Sequence, residues 1–347
     1  MHEELGAIGL LGSLVRLYSP SGREREVASV IHRWLVAQSA FDSVEFDSVG
    51  NVVATKGPEP YLLLCGHMDT VPGRLPVLFD GGIIRGRGAV DAKGALAGMC
   101  VGASAAARAG AKGLMLAAVV GEETEGKGMK SILAKGYQYV GGVFGEPSGG
   151  GIVVAYRGRM GLELEVEGKA AHASSAVLGV NAVEIGMEMA LRLKEELSSL
   201  GCAASITIVK GGKAENMIPA KCNVAMDVRI PITVNMEEVQ RALHKYVRQG
   251  IKARISDLTP PINVGRANRV FGSMSAAITE AGVHPRALVK VGTSDMNSFF
   301  LATKAPCVAY GPGDASLSHT DNEWVSEGEY LTSVRVYSSA IRRVLRT

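Results

Sequence analysis

The sequence predicts an α/β protein in which a mostly parallel sheet and its helices are interrupted by a smaller α+β domain of ferredoxin-like type. The chain has 347 residues, and single hydrophobic cores rarely grow beyond about 250–300 residues, so two domains are expected. Up to about residue 155, short apolar runs alternate with helical segments, as in strands buried on both faces of a sheet. From residue 156, apolar and polar residues alternate singly, as in a strand with one solvated face.

The larger domain is predicted to begin with two helices. An apolar stripe at helical spacing from Leu10 to Val15 marks the first helix. Ser21 and Glu24 have the spacing of a capping box, which predicts the start of the second helix. The Ala-, Gly- and Met-rich run Ala95–Ala107 predicts a buried helix. The expected buried strands are the apolar runs Tyr61–Cys65, Leu114–Val120 and Gly142–Phe144.

The smaller domain is predicted from the order of its elements. Leu162–Glu167 alternates strictly between apolar and acidic residues. A helix, two strands, a helix and a strand are expected to follow at Asn181–Leu200, Ser205–Lys210, Lys221–Arg229, Met236–Gln249 and Ala253–Leu258. This is the β-α-β-β-α-β order of ferredoxin-like domains.

The pattern of the larger domain returns after Val264. A helix is expected around Phe271–Ala281, with strands around Arg286–Val291 and Cys307–Tyr310. We therefore expect a smaller domain at 156–264 inserted into a larger one made of 1–155 and 265–347.

Composition argues against several classes of function. The formal net charge of +3, without a clustered basic face, argues against a nucleic-acid-binding protein. No stretch reaches the roughly 18 apolar residues that a membrane span needs. The five cysteines are scattered, and the start Met1–Glu4 lacks the positive charge of a signal peptide. These features predict a cytoplasmic protein with reduced thiols.

Five potential metal ligands are spread along the chain: His67, Asp91, Glu123, Glu146 and His319. Three of them directly follow a predicted strand, and Asp91 precedes the buried helix. Ligand sites of open α/β sheets lie at the carboxyl ends of strands, which favours one shared site. Imidazole and carboxylate ligands suit zinc, cobalt or manganese. Three carboxylates and two histidines can hold two ions if one carboxylate bridges them.

Some of these residues also have an interpretation without a metal. His67 could be a chance histidine at a capped strand end, although Asp69, two residues later, could orient a ligating imidazole. Asp91 could cap the helix that follows it instead of bridging two ions.

The adjacent pair Glu122 and Glu123 is more informative. Two glutamates after a buried strand repel each other unless a cation lies between them. One can then bind the metal while the other takes a proton from water as a general base. The alternative is a solvated acidic loop.

The order and local sequence of these motifs resemble the M20 family of metallopeptidases and amidohydrolases, which includes acetylornithine deacetylase, succinyl-diaminopimelate desuccinylase and aminoacylases. The resemblance covers essentially the whole chain. The motifs that carry it are Gly66-His67-Met68-Asp69, Gly86–Gly94, Gly121–Gly126, Gly145-Glu146-Pro147 and Ser318–Asp321.

The resemblance implies a dinuclear metal centre. Asp91 would bridge two divalent ions, with zinc expected first and cobalt or manganese as alternatives. His67 and Glu146 would complete one site, and Glu123 and His319 the other.

The resemblance also implies which residues act beside the metals. Glu122 would be the general base, and Asp69 would be the partner of His67. The peptide bond from Asp91 to Ala92 would be cis.

By the same resemblance, the inserted domain would be a lid that mediates dimerisation. It would supply His172 to the site of the neighbouring subunit. The further residues expected to contact substrate are Asn216 and Arg229 in this domain, and Gly292, Thr293 and Ser294 in a loop of the larger domain.

Within the family, the compact archaeal and thermophile branch is most similar, through Gly121–Gly126 and Gly292–Asn297. That branch, the [LysW]-lysine/ornithine hydrolases, releases lysine or ornithine from the C-terminal glutamate of a small acidic amino-group carrier protein in lysine and arginine biosynthesis. We therefore expect such a carrier as the partner. The alternative substrate is a small N-acyl amino acid, such as acetylornithine or a succinylated diamino acid.

A protein of another class, an inactive homologue that serves only in binding or assembly, is a further alternative. The retention of Asp69, Glu122 and all five ligands argues against it. Basic residues in the later half of the inserted domain could form a docking surface for an acidic carrier or simply a solvated face: Lys210, Lys213, Arg241, Lys245, Arg248, Lys252 and Arg254.

Overall fold

The structure, a computed structural model, describes residues 2–246 and 250–346. The chain forms two compact units. The larger unit comprises the chain up to Val154, Val264–Val289 and the chain from Ser294 onward. The smaller unit comprises Ala155–Asn263 and Lys290–Thr293.

The elements of both units are as follows in chain order. The helices are α1 (His2–Arg16), α2 (Arg25–Gln38), α3 (Lys93–Arg108), α4 (Lys127–Ala134), α5 (Ala182–Ser199), α6 (Met236–His244), α7 (Arg269–Glu280), α8 (Asp295–Thr303) and α9 (Glu327–Leu345). Short 3-10 helices lie at Ala173–Leu178 and Ala315–Leu317.

The strands of the first half of the chain are β1 (Ser43–Phe46), β2 (Val52–Lys56), β3 (Tyr61–His67), β4 (Leu78–Asp80), β5 (Ile83–Arg85), β6 (Leu114–Val119), β7 (Tyr139–Gly145), β8 (Ile152–Tyr156), β9 (Gly158–Glu167) and β10 (Ala171–His172). Those of the second half are β11 (Ala203–Gly211), β12 (Met217–Ile218), β13 (Lys221–Ile230), β14 (Ile251–Thr259), β15 (Ile262–Asn263), β16 (Ala287–Lys290), β17 (Cys307–Tyr310) and β18 (Trp324–Ser326).

The main sheet of the larger unit runs in the order β1-β2-β6-β3-β7-β17-β8. Its central strands β6, β3, β7 and β17 are parallel to one another. The flanking strands β1, β2 and β8 are antiparallel to their neighbours. The α/β class is confirmed, but the sheet is mixed rather than mostly parallel. One reason is the short turn between β1 and β2, because strands joined by a hairpin must be antiparallel.

Helix α3 lies deep in the larger unit because its small residues allow close packing. A β-carbon at Gly98 would lie 2.8 Å from Ser333 Oγ, and one at Gly102 would lie 2.8 Å from Tyr337 Cβ, both on α9. The predicted buried helix is therefore confirmed. Asp91, two residues before this helix, lies next to the carboxyl end of β3, with its Oδ1 3.2 Å from His67 Nε2.

The smaller unit contains an antiparallel sheet of order β11-β13-β9-β14. Leu162 and Leu164 of β9 belong to one core with Leu193 of α5 and Val239 of α6. The chain order β9-α5-β11-β13-α6-β14 is the predicted β-α-β-β-α-β order. The last residues of the predicted helix Met236–Gln249, from 247 to 249, lie outside the described part of the chain.

The predicted capping box of α2 is wrong. The N-cap residue is Glu24, without a side-chain hydrogen bond to the helix. The Ser21 hydroxyl instead donates to Asp69 Oδ2 at 2.7 Å. This partner is 48 residues away, so a local spacing rule could not identify it. Among the described residues, no helix is long and apolar enough to cross a membrane.

Candidate active site

The candidate site lies at the carboxyl ends of the central strands. His67 ends β3 and lies beside Val119 of β6, and Gly66 lies beside Gly145 of β7. Glu122 and Glu123 follow β6, and Glu146 follows β7. The parallel register therefore brings chain segments from distant parts of the sequence to one edge.

His67, Asp91 and Glu123 form the centre of this site, with one potential ligand atom of each lying within 4.8 Å of the others. His67 Nε2 lies 3.2 Å from Asp91 Oδ1. His319 Nε2 lies 3.4 Å from Asp91 Oδ2 and 3.0 Å from Glu123 Oε1. The two carboxylate oxygens of Asp91 thus face two different imidazoles. Converging imidazole nitrogens and carboxylate oxygens fit a divalent cation.

His67 is buried, with only 2% of its side chain exposed. Its Nδ1 lies 2.9 Å from the Asp69 main-chain oxygen and 3.5 Å from Asp69 Oδ1. An imidazole that donates through Nδ1 presents the lone pair of Nε2 to the centre. Burial lowers the pKa of His67, but the hydrogen bonds that the imidazole donates to the carboxylates of Asp69 and Asp91 raise it well above its usual range overall. The site therefore favours positive charge.

The loop that carries Asp91 is held by main-chain hydrogen bonds. The N–H groups of Val90 and Asp91 donate to Glu323 Oε1 at 3.0 and 2.9 Å. The peptide bond from Asp91 to Ala92 is cis, as the resemblance implies. The alternative of Asp91 as a helix cap is wrong, because the N-cap of α3 is Ala92 and no side chain caps that end.

Asp69 holds the two adjacent glutamates. Its Oδ1 accepts from the N–H of Glu122, and its Oδ2 accepts from the N–H of Glu123, both at 3.1 Å. Burial raises the pKa of Asp69, but hydrogen bonds with His67 and Ser21 outweigh this and lower its pKa to about 2. The carboxylate is therefore ionised and can accept both main-chain bonds.

Glu122 and Glu123 are partly buried, and only 10% of the Glu123 side chain is exposed. The alternative of a solvated acidic loop is therefore wrong. Burial raises the pKa of Glu122 well above its usual range. The positive charge of His67 lowers it, whereas the acids Glu146 and Asp295 raise it further. A cation bound nearby would reduce the repulsion between these carboxylates and favour their ionised forms.

His319 and Glu146 lie at the edges of the cluster. His319 adopts a left-handed backbone conformation (φ 65°), which is uncommon for a residue other than glycine, and its side chain is half exposed. Glu146 is partly buried directly after β7 and is not in the group that lies within 4.8 Å.

The predicted substrate loop begins the helix α8. Ser294 caps this helix, and its main-chain N–H donates to Asn297 Oδ1 at 3.1 Å, which completes a capping box. Gly292 and Thr293 precede it and are partly exposed. Burial raises the pKa of the next residue, Asp295, to about 7.

His172 and Asn216 lie together on a two-stranded ribbon of the smaller unit. His172 pairs with Met217, and the Asn216 main-chain oxygen accepts from the N–H of Ala173 at 2.9 Å. Both His172 and Asn216 are exposed. Arg229 lies apart from them on β13 and donates through Nε to Asp227 Oδ1 at 2.7 Å.

The basic residues considered for carrier docking are not equivalent. Lys245 and Arg254 are each paired with a glutamate. Lys210 and Lys213 are exposed. Arg248 lies outside the described residues.

Sequence reasoning assigned no role to Glu323 or Arg87. Glu323 and Arg87 are buried and joined by an ion pair of 3.0 Å, although they are 236 residues apart. The sequence could have indicated these two residues only through their proximity to predicted ligands. Arg87 lies in the glycine-rich stretch before Asp91, and Glu323 follows His319 by four residues.

The model of peptidase family M20/M25/M40 matches residues 63–343. A [LysW]-lysine/[LysW]-ornithine hydrolase of Saccharolobus islandicus is 32% identical over 337 residues, covering 96% of this chain and 95% of that protein. A protein of Aeropyrum pernix, provisionally given the same name, is 33% identical over 338 residues, covering 94% of this chain and 93% of that protein.

Solved structures share the fold. A tripeptidase from Staphylococcus aureus has a TM-score of 0.83 at 23% identity and covers 99% of both chains. A dinuclear metal-binding peptidase of family M20 from Bacillus subtilis has a TM-score of 0.74 at 18% identity, covering all of this chain and 99% of that chain.

Proposed function

The chain belongs to peptidase family M20/M25/M40 and is a hydrolase of amide or peptide bonds, and from this premise we propose that it releases lysine or ornithine from the C-terminal glutamate of an acidic amino-group carrier protein. The substrate part of the proposal is supported by the name shared by the relatives from Saccharolobus islandicus and Aeropyrum pernix. The resemblance of Gly121–Gly126 and Gly292–Asn297 to that branch supports it as well.

In the proposed catalytic centre, two divalent ions would be held by His67, Asp91, Glu123, Glu146 and His319, with Asp91 as the ligand common to both. The observation that carries this part is the direction of the two Asp91 oxygens: Oδ1 faces His67 at 3.2 Å, and Oδ2 faces His319 at 3.4 Å. A carboxylate with its oxygens turned to separate imidazoles suits a bridging ligand. Glu146 would complete the site of His67, and Glu123 that of His319. Zinc is expected first, with cobalt and manganese as alternatives.

Divalent ions held there would supply Lewis acidity, which polarises a scissile carbonyl and lowers the pKa of water. Glu122 accepts a proton from the attacking water as the water oxygen adds to the carbonyl carbon. When the C–N bond breaks, Glu122 returns this proton to the leaving amine nitrogen. Asp69 orients His67 and keeps Glu122 and Glu123 in place through their N–H groups. The products are a carboxylate and the free amine of the released amino acid.

We further propose that the segment 156–264 acts as a lid and dimerisation domain, with 1–155 and 265–347 forming the catalytic domain. His172 would serve the site of the neighbouring subunit. Asn216, Arg229 and the loop Gly292–Ser294 would contact the substrate.

A side-by-side assay tests this function. Release of amino acid is measured from carrier-linked lysine, carrier-linked ornithine and acetylornithine, before and after removal of metal by a chelator. We expect a higher kcat/KM on a carrier-linked substrate, loss of activity with the chelator and recovery with zinc, cobalt or manganese. A preference for acetylornithine would instead support the alternative of a small-substrate deacylase. Full activity after complete metal removal would refute the dinuclear mechanism.

A further inference from the structure

A buried ion pair connects two loops of the larger unit that carry proposed metal ligands. Arg87 Nη1 lies 3.0 Å from Glu323 Oε2, and the two side chains are 6% and 1% exposed. Arg87 lies four residues before Asp91, and Glu323 lies four residues after His319. The pair therefore joins two segments that are otherwise far apart in sequence.

Glu323 uses its two carboxylate oxygens for different tasks. Oε1 accepts from the N–H groups of Val90 and Asp91 at 3.0 and 2.9 Å, and Oε2 accepts from Arg87 Nη1 at 3.0 Å. The Glu323 carboxylate thus binds the main-chain N–H of Asp91 directly.

Arg87 fixes the other loop. Its Nη1 also donates to the Thr320 main-chain oxygen at 2.9 Å, directly after His319. Its Nε donates to the Gly73 main-chain oxygen at 2.9 Å, which anchors the guanidinium on a third segment. His319 itself has a left-handed backbone (φ 65°), a conformation that persists only where the surroundings enforce it.

We propose that Arg87 and Glu323 are positioning residues that set the separation of Asp91 and His319. They would thereby set the geometry of the metal site that Asp91, Glu123 and His319 are proposed to form. The inference rests on the proposed function, in which Asp91 and His319 are ligands of the same ion. Neither Arg87 nor Glu323 binds the metal. They act by holding the main chain at Asp91 and the main chain next to His319 at a fixed separation.

The chemistry of the pair predicts which substitutions disturb it. A glutamine at 323 has one acceptor oxygen, so it can serve either the two N–H groups or Arg87, and its amide N–H₂ group then faces a donor. A lysine at 87 keeps the charge, but its single ammonium cannot replace the separate Nε and Nη1 contacts of arginine. Both variants keep the approximate side-chain size.

The test is a cobalt titration of metal-free protein, with binding and the visible absorption spectrum of Co²⁺ as readouts. Glu323→Gln should lower the affinity for the second equivalent of cobalt by about 10–100-fold, as for other residues that support a metal ligand. It should also change the visible absorption spectrum of the bound Co²⁺. Arg87→Lys should give a smaller change of the same kind. Arg85→Lys is the matched control, because Arg85 contacts Asn322 of the same loop at 2.8 Å but is exposed.

A second readout needs no metal. In metal-free protein, hydrogen exchange at the amides of Val90 and Asp91 should be faster in Glu323→Gln than in wild type and unchanged in Arg85→Lys. Arg87→Lys carries the test if Glu323→Gln is poorly folded and binds no cobalt.

The possible outcomes are distinct. Unchanged cobalt affinity and spectrum in folded Glu323→Gln and Arg87→Lys would overturn the inference while leaving the proposed function intact. Equal effects in Arg85→Lys would also overturn it, because the pair would then have no special role. Wild-type protein that binds fewer than two equivalents of cobalt would instead refute the dinuclear centre, and the inference with it.

Discussion

Glu122 and Glu123 are adjacent in sequence, yet the proposed mechanism gives them different tasks, so replacing each by glutamine tests it. The change preserves side-chain size and removes one negative charge. It should leave the loop in place, because the bonds to Asp69 use the main-chain N–H groups of both residues at 3.1 Å.

The expected magnitudes differ for the two residues. A general base contributes about 10²–10⁴-fold, which corresponds to about 2.7–5.4 kcal/mol of activation free energy. Glu122→Gln should therefore lower turnover by this factor with metal content unchanged. Glu123 Oε1 lies 3.0 Å from His319 Nε2, so Glu123→Gln removes charge from the centre itself. Its metal affinity should fall by at least about tenfold, the lower bound even for residues that only support a ligand.

The assay combines two measurements, metal content after dialysis and turnover at saturating metal. Glu125→Gln is the matched control, because Glu125 is an exposed acid of the same loop and should tolerate the change. If Glu122→Gln lost metal while Glu123→Gln retained it, the two roles would have to be exchanged. If neither variant lowered turnover, the assignment of this pair to the chemistry would be wrong.

Three further predictions concern packing, assembly and substrate. A methyl group at Gly128 would lie 2.5 Å from the Val120 main-chain oxygen, so Gly128→Ala should lower the free energy of unfolding by about 1–3 kcal/mol in a urea titration; an unchanged midpoint would contradict this packing. Mixing inactive His172→Ala with inactive Glu122→Gln should restore part of the activity if subunits share sites, and no recovery in verified mixed dimers would exclude sharing. Lys210→Glu should slow cleavage of the acidic carrier substrate, more so at low salt, and leave acetylornithine cleavage unchanged; equal loss on both would indicate a damaged domain.

The parts of the fold that the sequence predicts are those with local periodicity. Each buried strand and the Ala-rich helix α3 has an apolar pattern that is visible within a few residues of sequence. The structure contains these elements, and it also contains the predicted β-α-β-β-α-β order. The flanking strands β1 and β2 were not predicted, because they have only four and five residues. Strands this short offer too few positions for an alternation of apolar and polar residues to be distinguished from chance.

The structure shows contacts in the candidate site between residues that are far apart in sequence. Ser21 reaches Asp69 across 48 residues, and Arg87 reaches Glu323 across 236. Serine at a predicted helix start has a stronger local interpretation as a cap, so sequence spacing alone gives the wrong partner. Such contacts become visible only when the sheet has brought the loops together.

Asp69 shows why two neighbouring glutamates can have separate functions. Its two carboxylate oxygens bind the N–H groups of Glu122 and Glu123 one each, so both residues are fixed by one ionised group. Because both main-chain N–H groups are held, the two side chains start from fixed positions in the loop. Glu123 turns to His319, while Glu122 lies where burial and the neighbouring acids raise its pKa. The proposed metal ligand Glu123 and the proposed proton acceptor Glu122 can then be adjacent in the chain and still have different surroundings.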